Sequence, residues 1–338
     1  MATDQPHDAS EEAICREAGD AAEALLQELT EAARLTSDWR DENVGFALLA
    51  TAMDRSLLRL AASGRRGKAN QLASSQFWSI AAPVLDVGWL QPRARHKPRG
   101  YAGDYEMFVR FWEHTCDDHP VGRLFDRYFQ RQAAVEAVRS RTTYLAQTIA
   151  AAAMKRPSGR EFRVASVGCG PAIELELAAS WLSDAHRRNL RVTLLDFDPD
   201  ALEHARRRLA GVVADEQIAA LRENLYRLPD RRHTAEALDG IDLLYCAGLF
   251  DYLSDDVAGE MLRFFWRRLA RQGTLLVGNF APHNPTRAYM EWVGNWHLIY
   301  RTPDELAQLA LAAGLPERAF TVAAEPLGID LFLQAWSE

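Results

Sequence analysis

Residues 164–171 read V-A-S-V-G-C-G-P. Gly168 and Gly170 flank Cys169, and glycines at such spacing let the backbone turn sharply while leaving room for a ligand against it. In L-L-D-F-D, 26 positions after Gly170, stands Asp196, a carboxylate able to accept hydrogen bonds from both hydroxyls of a ribose. A nucleoside fits between those two points. Phe197 follows the acid directly. The dinucleotide pattern G-x-G-x-x-G requires glycine at 173, where Ile173 stands, so a pyrophosphate is less expected. In R-E-N-L-Y-R-L, Asn224 offers an amide to the nitrogens of an adenine and Leu225 an apolar face; the competing reading is an ordinary surface turn. Ala247 and Gly248, in Y-C-A-G-L-F-D-Y-L-S-D-D, are small enough for a ligand to approach the backbone. Asp251 and Tyr252 either face that ligand or simply precede a helix capped by Ser254.

Elements must position these residues, and from residue 161 onward the pattern supplies them. Short apolar or β-branched runs bounded by turn residues predict strands at Arg163–Val167, Arg191–Asp196, Ile241–Tyr245 and Thr274–Gly278, with weaker ones at Ile218–Leu221, Phe320–Ala324 and Ile329–Ala335. Helices are expected at Pro171–Trp181, Pro199–Ala210, Asp255–Ala270 and Pro303–Ala313. Asp198 or Asp200 caps the second of these, which leaves Asp196 for a ligand. Such alternation implies an α/β fold, a parallel sheet covered by helices, with the ligand outside the carboxyl ends of the strands.

Residues 10–156 read as mostly helical. Leu25, Leu26, Leu29, Leu48, Leu49, Leu57, Leu58 and Leu60 recur at roughly helical spacing, and one long helix is expected over about 121–155. Pro157 and Gly159 then break the pattern, so the expected division is a helical domain over 1–156 and a ligand-binding domain over 157–338. One stretch interrupts the helical half. Residues 91–106 carry two prolines, two glycines and the basic side chains Arg93, Arg95, His96, Lys97 and Arg99; Tyr101 and Tyr105 flank a Gly-Asp turn. A connector has little use for those tyrosines, so a functional loop is the expectation.

The chain has 338 residues, a formal net charge of −8 and 48% hydrophobic residues. That balance argues against nucleic acid as a partner. No window approaches an uninterrupted apolar membrane span, and the acidic start M-A-T-D-Q-P-H-D is unlike a secretory signal, so a cytoplasmic protein acting on a small molecule is expected. Cys15, Cys116, Cys169 and Cys246 are far apart, which suits reduced thiols rather than a disulfide framework or a metal site.

V-G-C-G-P-A, L-D-F-D-P-D-A-L and the segment around Ala247 resemble motifs of class I S-adenosylmethionine (SAM)-dependent methyltransferases. K-P-R-G-Y-A-G-D-Y-E-M (97–107) and G-N-F-A-P-H-N-P-T-R-A-Y-M-E-W (278–292), followed by L-I-Y-R-T, are similar to a narrower bacterial group, one related to the synthase that makes the methyl ester of 3-hydroxypalmitate, a quorum signal. The resemblance covers roughly residues 90–335. It implies a Rossmann-like sheet with a helical lid, SAM as cofactor, methyl transfer to a small acidic metabolite, and a place in secondary metabolism. Some relatives instead close SAM's own aminobutyryl chain into azetidine-2-carboxylate, releasing methylthioadenosine; a SAM-binding sensor without turnover is a further alternative. The chain departs from the common class I pattern at Ser166, where an acid often precedes the first glycine by two residues.

SAM carries a sulfonium with three electrophilic carbons, and attack on any of them needs in-line alignment. Aromatic faces hold such a cation without competing as nucleophiles. Tyr101, Tyr105, Phe280, Tyr289, Trp292 and Tyr300 are the candidates; Trp296, four residues after Trp292, is expected on the same helix face. Residues 97–105 are expected to close over the cofactor, with Arg99 or Lys97 pairing a carboxylate. A carboxylate acceptor needs no general base. An amine must be neutral to attack, which would call on Asp251, Asn279 or a tyrosine hydroxyl.

Overall fold

The computed structural model describes residues 11–37, 42–157 and 159–337. The polar start of the chain and Ser158, inside the expected domain boundary, lie outside the described residues. The first half is helical: α1 (Glu11–Ser37), α2 (Glu42–Ala61), α3 (Gln71–Leu85), α4 (Leu90–His96), α5 (Tyr105–Glu113), α6 (Pro120–Gln130) and α7 (Ala133–Met154). Strands and helices then alternate: β1 (Phe162–Val167), α8 (Ile173–Trp181), α9 (Asp184–Asn189), β2 (Leu190–Asp196), α10 (Pro199–Leu209), β3 (Ile218–Arg222), α11 (Arg232–Ala237), β4 (Ile241–Cys246), α12 (Asp255–Trp266), β5 (Leu269–Phe280), α13 (Pro303–Ala312), β6 (Phe320–Ala324) and β7 (Asp330–Trp336).

These elements form two compact units. The first comprises residues up to Asp104, His114–Val135 and Pro285–His297. In it α1 packs on α2 and α3, and Ile14, Leu25, Leu29, Leu49 and Phe77 are buried. The returning segment Tyr289–Val293 is a single π-helical turn, and its backbone is held by α3: the Ser74 hydroxyl donates to the Trp292 carbonyl at 2.9 Å. Glu291 is buried there and accepts from the Gly67 N–H, from Asn70 Nδ2 and from Arg287 Nε. Those three donors give the oxygens of a carboxylate cut off from water the partners it would otherwise lack.

The second unit comprises Tyr105–Glu113, Glu136–Asn284 and Leu298–Glu338. Its seven strands run β3-β2-β1-β4-β5-β7-β6. Strands β1 to β5 are parallel; β7 is antiparallel to both β5 and β6. One face packs Ala165, Val167, Leu244, Leu275 and Val277 against α12 and α13. The other packs Val164, Leu194, Leu243 and Leu276 against α8, α10 and the apolar stripe Leu145, Ile149, Ala153 of α7. That stripe is why the position 156/157, marked by Pro157 and Gly159, falls inside the second unit: most of α7 is one of the sheet's covering helices.

Several expected boundaries move, each for a local reason. The helix expected over 121–155 is two, α6 and α7, with Arg131 and Gln132 between them; the Ala134 N–H takes the Thr286 hydroxyl as acceptor rather than a preceding turn. Residues 91–96 are helical, with the α4 N-terminus capped by Asp126 Oδ1, which accepts from the Trp89 and Leu90 N–H groups. Only 97–104 remain as the irregular segment. Helix α8 begins at Ile173 and not Pro171, because Gly170 (φ +49°) and Ala172 (φ +53°) are both left-handed. Helix α12 stops at Trp266, since Leu269 already pairs with Ile241 as the start of β5.

Candidate active site at the carboxyl ends of the sheet

The strand order reverses between β1 and β4, and in open α/β sheets the crevice at such a reversal is where ligands bind. The glycine turn lies there, directly after β1. Gly168 (φ +69°) and Gly170 take left-handed angles, and the Gly168 and Cys169 N–H groups both donate to the Leu195 carbonyl at 2.8 and 3.0 Å, folding the turn over the end of β2. A Cβ on Gly170 would meet nothing within 4 Å, so open space adjoins the turn. The left-handed angle, and not crowding, is what requires glycine there.

Asp196 ends β2 and ties two loops together. Its Oδ2 accepts the Gly170 N–H and its Oδ1 the Asp198 N–H, each at 3.0 Å. A carboxylate has about four lone-pair positions, so the backbone N–H groups do not exhaust its capacity to accept from a ribose. Burial pushes the Asp196 carboxyl above its usual range, the backbone N–H groups of Asp198, Gly170 and Phe197 opposing it. Asp198 caps α10 through the Asp200 N–H, as its place before Pro199 suggested. Phe197 is exposed. Leu225 is buried, and its Cδ1 would lie 3.5 Å from a Cβ on Gly168. Asn224 is exposed, and its side-chain oxygen accepts the Tyr226 N–H, capping a short 3-10 turn, so one end of that amide serves the backbone.

The loop after β4 is held from two sides. The Ala247 carbonyl accepts from Arg141 Nη1 at 2.9 Å. A Cβ on Gly278 of β5 would stand 3.0 Å from the Ala247 oxygen, so glycine there permits a close approach of the two backbones. Arg141 itself pairs with Asp330 Oδ2 at 2.9 Å, both side chains buried. Asp251 accepts the Phe280 N–H at 2.7 Å, and its own carbonyl accepts from Ile299. Burial first, then the charge of Asp330, pushes the Asp251 carboxyl up to about 7; burial also raises Asp330, to about 6, against the pull of Arg141.

Asn279 is fully buried and engaged throughout: Nδ2 donates to the Phe280 and Ile299 carbonyls, and Oδ1 accepts from Arg301 Nη1 at 2.6 Å. Arg301 also donates to the carbonyls of Phe250 and Leu253 and pairs with Asp255. One guanidinium therefore ties the segments after β4 and β5 to each other.

The aromatic candidates divide between the units. Tyr105, Phe280 and Tyr300 belong to the second, Tyr101, Tyr289, Trp292 and Trp296 to the first, together with Lys97 and Arg99. Tyr105 packs its ring 5.2 Å from His204. Tyr289 donates its hydroxyl to Gln91 and packs edge-on against Tyr128 and Phe129, and Trp292 is buried. Trp292 and Trp296 do not share a helix face, because the turn ends at Gly294 and Asn295 is left-handed. Lys97 points its ammonium at the Asn295 carbonyl, 2.8 Å away, and burial lowers its pKa to about 8.

Sequence reasoning missed Arg141, Asp330, Glu174 and Tyr245. Arg141 sits in a helix whose pattern reads as ordinary and meets an acid 189 positions away. Glu174 accepts the Tyr245 hydroxyl at 2.7 Å across 71 positions. No local signal marks such pairs.

No family model matches the chain, and no curated protein matches its sequence. Among solved structures it is similar to a possible exported protein from Bordetella parapertussis, at TM-score 0.55 and 17% identity over 99% of both chains. It is also similar to the CurJ carbon methyltransferase, at TM-score 0.51 and 12% identity over 96% of this chain and 91% of that one. The fold is that of class I SAM-dependent methyltransferases, with helices preceding the seven-stranded mixed sheet. No helix among the described residues is long and apolar enough to cross a membrane.

Proposed function

We propose that the protein binds SAM at the carboxyl ends of β1, β2 and β4 and transfers its methyl group to a small metabolite bearing a carboxylate. The observation that carries the SAM reading is the hydrogen bond joining Asp196 to Gly170, which sets a ribose-binding acid and a nucleoside-accepting turn side by side at the strand-order reversal. The adenosyl part is assigned to Gly168, Gly170, Asp196 and Leu225, with Ala247 and Gly248 as the opposite wall. SAM supplies an electrophilic carbon on a sulfonium; the chain's part is to hold it, aim the acceptor and exclude water. An ionised carboxylate attacks the methyl carbon, the carbon–sulfur bond breaks, and S-adenosylhomocysteine (SAH) leaves with no proton to move.

A second reading rests on Asp251. Its carboxyl, pushed up to about 7, suits a base that takes a proton from an ammonium near neutral pH. With SAM's own amine as nucleophile, the ammonium gives a proton to the ionised Asp251 carboxylate, the neutral nitrogen attacks the γ-carbon, the carbon–sulfur bond breaks with its electron pair going to sulfur, and methylthioadenosine leaves. The products are azetidine-2-carboxylate and methylthioadenosine.

Incubation of the pure protein with SAM alone, followed by product analysis, separates the two. Methylthioadenosine without an added acceptor supports ring closure. SAH formed only when a carboxylate acceptor is added supports methyl transfer. Binding with no product for any acceptor leaves a sensor, and tight binding of NAD but not SAM overturns the assignment.

A further inference from the structure

The helical unit holds a recess that the SAM reading leaves unused. Leu29 of α1, Leu49 of α2, Val84 of α3, Val87 just after it, and Leu124 and Phe125 of α6 line a space of about 190 Å³. No charged side chain lines it among the described residues. An unfilled apolar space deprives its walls of dispersion contacts, so a protein relaxes into one wherever its elements are free to move. Here they are held. Gly88 and Gly122 meet backbone to backbone: a Cβ on Gly122 would stand 2.8 Å from the Gly88 Cα, and one on Gly88 would stand 2.9 Å from the Gly122 carbonyl oxygen. Asp126 adds three bonds, its oxygens accepting the N–H groups of Trp89, Leu90 and Asp117. The α3–α4 turn is thereby fixed against the first turn of α6. The wall carrying Val84 and Val87 keeps a set spacing from the one carrying Leu124 and Phe125.

One polar side chain borders the recess. His119 is the exposed N-cap of α6, and its Nδ1 accepts the Gly122 N–H at 3.3 Å. With Nδ1 accepting, a neutral ring carries its proton on Nε2, so the rim offers a single N–H donor. Protonation would take Nδ1 away from Gly122, so an anion that draws a second proton onto the ring costs the cap. A cation meets no anionic side chain in the lining and would lose its hydration without return. An apolar cavity of about 150 Å³ stays dry and takes a benzene-sized guest. We propose that this recess binds a neutral molecule built of about one six-membered ring and a single acceptor oxygen, the ring against Leu49, Leu124 and Phe125 and the oxygen on His119 Nε2. The site shares no residue with the adenosyl site.

Methyl-resolved NMR titration of the full-length protein with three probes tests it: acetophenone, which has ring and acceptor; toluene, which lacks the acceptor; and benzylammonium, which carries a charge in its place. Acetophenone is expected to shift the methyl signals of Leu29, Leu49 and Leu124 and to bind roughly fivefold tighter than toluene, the worth of one hydrogen bond. Benzylammonium is expected not to bind. His119→Ser keeps a good N-cap and removes the donor. It should bring acetophenone down to the affinity of toluene and leave toluene unchanged. Ala32→Phe, at another lining position, puts a ring into the recess and should abolish binding of both. Should that variant fail to fold, the wild-type methyl shifts still decide the site, because a probe seated elsewhere moves other signals. No saturable shift at those three leucines overturns the recess as a binding site. Equal affinity of acetophenone with toluene or benzylammonium in the wild type, or an acetophenone affinity untouched by His119→Ser, overturns the assigned ligand chemistry.

Discussion

Asp196 is asked to do two things at once, and its replacement separates them. Its oxygens each hold a backbone N–H at 3.0 Å, from Gly170 and Asp198. Hydrogen bonds to a charged acceptor contribute about 1.5–3 kcal/mol each, and a buried donor left without a partner loses its full hydration. Asp198 is buried, so its N–H has no ready substitute; Gly170 is half-buried and can turn to water. Asp196→Ala is therefore expected to cost about 2–4 kcal/mol of unfolding free energy, chiefly through the Asp198 N–H. Asp196→Asn, which keeps one acceptor and turns a donor toward the other N–H, should cost less, about 1–3 kcal/mol.

Ligand binding adds a second loss. Two ribose hydroxyls donating to the carboxylate, at about 1.5 kcal/mol each, amount to about 3 kcal/mol, or on the order of 100-fold in dissociation constant. The assay is calorimetric titration of methylthioadenosine into wild-type and Asp196→Asn proteins, repeated with 2′-deoxy and 3′-deoxy ligands. In the wild type each deletion of a hydroxyl is expected to weaken binding about tenfold; in the variant the same deletions should cost little, because the partner is already gone. Coupling near zero, with deoxy ligands penalised equally in both proteins, refutes the ribose assignment. Urea unfolding of the same variant checks the other half: stability within 0.5 kcal/mol of wild type, a threshold at about the floor of one hydrogen bond, refutes the bracing role.

Arg301→Met strands the carbonyls of Phe250 and Leu253 and the Asn279 oxygen inside the protein, while Asp255 is exposed and needs no replacement partner. The expected loss is about 3–5 kcal/mol by urea unfolding, and a loss below about 1 kcal/mol would remove Arg301 as the anchor of the loops after β4 and β5. Asp251→Asn should show a pH-dependent gain. A carboxyl raised from 3.8 to about 7 in the folded state binds more protons folded than unfolded, so its ionisation lowers stability as pH rises through that window. The variant is expected to match the wild type near pH 4 and to exceed it increasingly up to pH 7, flat above; a difference independent of pH refutes the shift.

The sheet was legible because its strands are short apolar runs with turn residues at both ends; six lie within one residue of where the pattern put them, while β5 starts five residues before the expected Thr274. The glycine turn and Asp196 were legible because each is a residue type tied to a backbone need or a hydrogen-bonding need. Helix ends were less so. Whether the chain continues past Arg131, or starts α8 at Pro171, depends on Thr286 and on two left-handed residues, neither visible in local periodicity. The buried charges were illegible for a different reason. Arg141 on α7 looks like any polar position of an amphipathic helix until Asp330 and Ala247 are brought to it from far along the chain. Tyr289 and Trp292 look the same in sequence whether they line a site or fill a core, and the structure buries both.

The same buried charges bear on which chemistry the site favours. Asp196, Asp251, Asp330 and Glu174 are gathered at the carboxyl ends of one sheet, and Arg141 acts on three of them. With every acid ionised, the balance attracts a sulfonium and repels a carboxylate. Asp251, raised by burial beside an Asp330 that burial also raises, is one of two acids whose proton changes that balance near neutral pH. Binding a cation lowers its affinity for the proton and expels it; bringing an acidic acceptor beside the cation restores it. A neutral amine feels neither penalty and gains an acceptor for the proton it must lose. Methyl transfer to a carboxylate thus asks the site to hold the Asp251 proton through the reaction, whereas ring closure asks it to start without one. On the proposed SAM reading, the protonation state of Asp251 is therefore the variable on which the two chemistries would part.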